Sequence, residues 1–67
     1  MAIVKVIEVL AQSNESWEDA AQQALREASR SVRNIQSIYV KELQAIVENN
    51  KIVNYRLNAK ISFLIEE

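Results

Sequence analysis

Arg56 and Lys60 are the side chains of this sequence best suited to holding a ligand. Both sit on the polar side of the alternating stretch VNYRLNAKISF, and a guanidinium is a planar fork that fits phosphate or carboxylate oxygens. The ordinary alternative for two such cations is salt bridging between subunits, with Glu42 or Glu48 as partners. Glu42, Glu48, Glu66 and Glu67 offer hard oxygen donors for calcium or magnesium at a symmetry axis. No local run has the spacing of a calcium loop, so solvated carboxylates are the default and no metal site is assigned. Arg26, Arg30 and Arg33 recur toward the end of a helix, where they complement its dipole. With no His and no Cys, the usual acid–base groups and thiol nucleophiles are missing. Nothing in the spacing of Ser, Lys or the carboxylates points to a catalytic pair, and the chain reads as a binding protein and not an enzyme.

These residues need elements to position them. AIVKVIEVLA, about residues 2–11, is rich in Val and Ile and predicts a first strand. QSNES breaks the pattern, and Ser16 is a good N-cap with Asp19 at the third helical position, as in a capping box. The spacing of Trp17, Ala21, Ala24, Ala28 and Val32 predicts an amphipathic helix to about Arg33. Its stripe is mostly alanine, so the helix can lie close to a sheet. Trp17, the only tryptophan, belongs to that stripe and reads as core packing.

A second strand is predicted over about 35–47. The chain has no Gly and no Pro, and Asn49-Asn50 is the best remaining pair for a tight turn with positive φ. A two-residue turn sets Glu48 opposite Lys51, Ile46 opposite Val53, Val40 opposite Ala59 and Ile38 opposite Ile61. Leu43, Ala45 and Val47 then fall on the other sheet face, unless a bulge near Lys41-Glu42 reverses them. The order is β-α-β-β: an α+β fold with a three-stranded antiparallel sheet whose apolar side (Tyr55, Leu57, Ala59, Ile61, Phe63) faces one helix.

Composition narrows the rest. Sixty-seven residues make a single domain, 1–67. A core this small supplies about 3–5 kcal/mol at most. Without cysteine or histidine, disulfide and Cys/His zinc staples are excluded, which leaves homo-oligomerisation. A hydrophobic content of 49% and an uncovered sheet face agree with that. The net charge of -1 argues against a nucleic-acid partner. No apolar run is long enough to span a bilayer and no secretory stretch precedes Lys5 and Glu8, so a cytoplasmic protein without a membrane partner is expected.

SWEDAAQQALREAS, RNIQ and VKELQAIVENNKIVNYRLNAKISFLIE together resemble the dodecins over essentially the whole chain. The resemblance implies a hollow dodecamer in which each sheet partly wraps its own helix. It also implies a small-molecule ligand at subunit interfaces, a flavin such as riboflavin or FMN, stored and not transformed. In flavin-binding members a tryptophan on the second strand stacks on the isoalloxazine and a glutamine on the third reads its polar edge. Here those positions align with Ser37 and Arg56, and Tyr39, two residues along the same face, is the nearest aromatic. Ser37, Tyr39 and Arg56 are therefore the candidate cofactor-binding residues, with a cationic pocket in place of a stacking one. A dodecameric shell that is structural or ion-binding, without flavin, is the alternative.

Overall fold

A computed structural model describes residues 3–65. The chain runs β1 (Ile3–Ser13), α1 (Trp17–Ala28), β2 (Ile35–Glu48) and β3 (Lys51–Ile65). The strands form one antiparallel sheet in the order β1-β3-β2, so β3 lies in the middle. That position suits β3, which has the cleanest alternation in the chain. Its inward residues Leu57, Ala59 and Ile61 are buried to 2% exposure or less. Ala20 of the helix, missing from the expected stripe, is equally buried and packs on Leu57 and Ala59 with Trp17 and Ala21. The alanine-on-alanine contact allows the close approach of helix and sheet that the sequence implied.

Two boundaries and one capping contact differ from expectation. β1 continues to Ser13, because Gln12 and Ser13 still pair with Arg56 and Tyr55. The helix stops at Ala28, five residues early. The Ser29 hydroxyl donates to the Arg26 carbonyl, and the following amides of Arg30 and Ser31 bond three residues back, which tightens the chain out of the helix. Asn34, with φ 62°, then turns it into β2. Arg30 and Arg33 therefore lie beyond the helix, and only Arg26 occupies its last turn. Third, the Ser16 hydroxyl caps the Asp19 amide as expected, but the Asp19 carboxylate bonds elsewhere. Its Oδ2 accepts from Ser13 Oγ and from Gln23 Nε2, both at 2.6 Å.

The Ser13 hydroxyl and then the Gln23 amide favour the ionised form and hold the Asp19 carboxyl below its ordinary value, against a smaller opposing effect of burial. A carboxyl depressed in this way stabilises the fold above its unfolded pKa, and the contribution is lost as pH falls through the folded value. Acidification from about pH 5 to pH 2 is expected to lower the melting temperature, and less steeply in Asp19→Asn. An acid limb of unchanged slope in that variant would remove Asp19 from the account.

The hairpin turn is as read: Asn49 and Asn50 have φ of 53° and 64°, and Glu48 faces Lys51. Ile38 opposite Ile61 and Val40 opposite Ala59 also hold. Between them the ladder slips twice. β3 carries an extra residue near Val53, so Ile46 faces Asn54, and β2 carries one at Lys41; the two slips cancel. The Lys41 bulge places Leu43 opposite Leu57 and Ala45 opposite Tyr55, on the helix side and not on the outer face. Val47 follows them by strand period.

The helix covers only part of this side. Its 12 residues span about 18 Å, against roughly 50 Å for the 15 residues of β3. Beyond Tyr55 the hairpin has no helix above it, and Val47 and Ile52 are exposed; Leu43, on the edge strand opposite buried Leu57, is exposed as well.

Candidate functional site

The outer sheet face is a ladder of cross-strand rungs centred on β3. Val6, Ser62 and Ser37 form one rung, and Glu8, Lys60 and Tyr39 the next. Leu10, Asn58 and Glu42 follow, then Gln12, Arg56 and Gln44. Helix α1 lies on the opposite side, so in the single chain this face is open: Val4, Val6, Leu10 and Tyr39 are each more than half exposed.

Ser37 is engaged with its cross-strand partner, the two hydroxyl oxygens of Ser37 and Ser62 standing 2.6 Å apart. Tyr39 is 65% exposed and its ring is free to meet a planar ligand. Arg56 donates from both Nε and Nη2 to Gln12 Oε1, at 3.0 and 2.8 Å. Lys41, lifted out of register by its bulge, reaches across the sheet to Glu8 at 3.2 Å. The Lys41 hydrogen bond and charge hold the Glu8 carboxyl below its ordinary value, with smaller help from Asn58 and Lys60. Among the described residues, Arg56 and Lys60 make no ion pair within the chain. The Asn58 Oδ1 atom is buried without a hydrogen-bond partner. It belongs to a cleft of about 50 Å³ between Leu10, Glu42, Gln44, Arg56 and Leu57.

All three candidate residues share this face, but one chain does not bring them together. Arg56 is six residues from Ser62, the partner of Ser37, and four from Lys60, the partner of Tyr39. At about 3.3 Å per residue these separations are roughly 20 and 13 Å. Within one chain Arg56 therefore stands two rungs from Tyr39 and three from Ser37. A larger open groove of about 500 Å³ between β1 and α1, lined by Ile7, Val9, Ala11, Ala24 and Ala28, contains none of them.

Gln12 was not singled out from the sequence, because the first strand was expected to end before it. Strand period puts Gln12 on one face with Glu8 and Leu10, away from Ile7, Val9 and Ala11, and only the pairing with β3 sets it beside Arg56. Trp17 is not on this face at all. Its ring meets Tyr55 edge-on, with centroids 4.9 Å apart at 75°, and its indole N–H donates to the Gln44 carbonyl at 3.1 Å. It is half-buried and pins the helix start to both β2 and β3, a packing role as expected.

A dodecin family profile matches residues 3–66. The calcium dodecin of Mycobacterium tuberculosis is 35% identical over 63 residues, 94% of this chain and 89% of that protein. Its crystal structure, described as having a novel calcium-binding site, superposes with a TM-score of 0.83 at 33% identity, over 96% of this chain and 91% of the other. A single-substitution variant of the Thermus thermophilus dodecin superposes with a TM-score of 0.94 at 27% identity, over the whole of both chains. The β-α-β-β order, the partly covered sheet and these matches along nearly the full chain agree: this protein belongs to the dodecin family.

Proposed function

We propose that the chain assembles into a closed homo-oligomer, a dodecamer, that holds a flavin at subunit interfaces and stores it in the cytoplasm without transforming it. The observation that carries this reading is Arg56: a guanidinium on an open sheet face, held by a neutral amide and without an ion pair among the described residues. Exposed Tyr39 offers the aromatic surface, supplied by a neighbouring copy, and the apolar side chains Val4, Val6 and Leu10 supply surface for assembly. An arginine prefers an anionic group to a neutral ring edge, so FMN is the favoured ligand over riboflavin.

Calorimetric titration with both flavins tests this. FMN is expected to bind about threefold to tenfold more tightly than riboflavin at low salt, the advantage shrinking as salt screens it. Arg56→Gln should reduce that ratio. Ser37→Trp should raise affinity for both flavins by about three- to tenfold by providing a stacking surface. Equal affinity of the parent protein for the two flavins would exclude Arg56 as an anion anchor.

The second reading is an ion-binding shell, favoured by the relative named calcium dodecin and by the oxygens of Glu42 and Asn58 at one cleft. Among the described residues no single chain gathers three His, Cys, Asp or Glu side chains, so a site built on carboxylates would combine copies. Calcium uptake by a colourless protein that leaves riboflavin and FMN fluorescence unquenched would select this reading.

A further inference from the structure

Gln12 and Arg56 lie 44 residues apart in sequence and meet across the β1–β3 ladder. Arginine carries only N–H donors, so the group facing it must be the carboxamide oxygen, and the amide orientation follows from the chemistry of the pair. The oxygen is fully engaged, receiving both Nε and Nη2. Gln12 therefore turns its NH2 group away from the guanidinium, and Arg56 keeps the N–H groups of Nη1 and the second one of Nη2 for other partners. The pair presents donors and no free strong acceptor. A glutamate at position 12 would hold the guanidinium equally well but cancel its charge; glutamine holds it and leaves the charge available.

We infer that Gln12 is the positioning residue of an anion site, fixing the Arg56 fork so that the two side chains, which between them present only free donors, take an acceptor-only group, a phosphate monoester or a carboxylate. This rests on Arg56 being the ligand anchor. The site selects against groups that must donate a hydrogen bond, and the fork is already ordered before the ligand arrives, so less freedom is lost on binding.

Gln12→Met removes the acceptor while keeping length, and Gln12→Glu keeps the acceptor while neutralising the fork. Gln12 is exposed at a strand end, so both variants should assemble, which particle size and melting temperature will show. Titrations use FMN and riboflavin, with inorganic phosphate as a flavin-free probe followed by thermal shift. In Gln12→Glu the melting temperature should hold or rise while the preference for FMN disappears and phosphate no longer stabilises the protein. In Gln12→Met the preference should fall about threefold, with riboflavin affinity unchanged. A merely structural role would shift both flavins alike. If Arg56→Gln lowers the preference but both Gln12 variants keep it, the positioning role is overturned and the anchor stands. If the parent shows neither an FMN preference nor a response to phosphate, anchor and positioning role fall together.

Discussion

The purified protein is expected to sediment as one large discrete particle, with no folded monomer at micromolar concentration. Twelve copies of 7.7 kDa give a particle of about 92 kDa. The expectation comes from the surface of the single chain. Its fully enclosed core is short: Ala20, Leu57, Ala59 and Ile61, in a molecule 52 Å long and 13 Å thick. Large apolar side chains remain exposed on both sides, Leu43, Val47 and Ile52 along the hairpin and Val4, Val6 and Leu10 on the outer face. A core of this size supplies a few kcal/mol at most, of the order of 3–5, so assembly and folding should be one transition. The melting temperature should then rise with protein concentration. Leu43→Glu, placing a charge at a position 58% exposed in the isolated chain, should remove particle and folded chain together. A folded monomer of the parent protein at micromolar concentration would overturn both the dodecamer and the argument from core size.

Trp17→Ala should be among the most damaging substitutions in the chain, at roughly 3 kcal/mol per protomer, the low end for truncating a large aromatic. The low end applies because the ring is half-buried. The loss has separable parts: the edge-on contact with Tyr55, worth about 0.5–1.5 kcal/mol, and the hydrogen bond to the Gln44 carbonyl, worth about 1 kcal/mol. Trp17→Phe keeps most of the first and loses the second, so it should cost about 1–2 kcal/mol. Denaturant unfolding of the three proteins at equal concentration measures this. Native emission should be only partly blue-shifted, since the indole N–H is bonded yet the ring reaches solvent. Flavin should leave it unchanged at contact range, because Trp17 stands on the far side of the sheet from Arg56 and Tyr39. A cost below about 1 kcal/mol for Trp17→Ala would show that the helix start is held by something else.

Much of the fold could be read from local sequence, and the reason lies in how few alternatives a short segment has. Alternation from Val53 to Phe63 admits one strand with one buried side, and Leu57, Ala59 and Ile61 are buried as that pattern requires. Without glycine, Asn49-Asn50 was the best local candidate for two consecutive positive φ values, and the hairpin turns there. The cap at Ser16 is equally local, an oxygen three residues from the amide it receives.

What depended on the assembled chain was everything that compares distant segments. The helix end at Ala28 is the exception, a local competition in which a serine hydroxyl and amides bonding three residues back outcompete a periodicity that runs on to Val32. The two compensating slips at Val53 and Lys41 restore the expected register from Val40 to Ser37 and turn Leu43 and Ala45 to the other face between them, and a further slip at Gln36 sets Ile35 opposite Phe63. Sequence alone determined that Arg56 stands on the polar face of a strand whose other face is buried. Only the tertiary structure set Gln12 against it and separated it from Tyr39 by two rungs and from Ser37 by three rungs of the same sheet. Cross-strand neighbours are chosen by register and strand order, and those are settled by which apolar faces find each other, a sum over the whole chain that no single stretch contains.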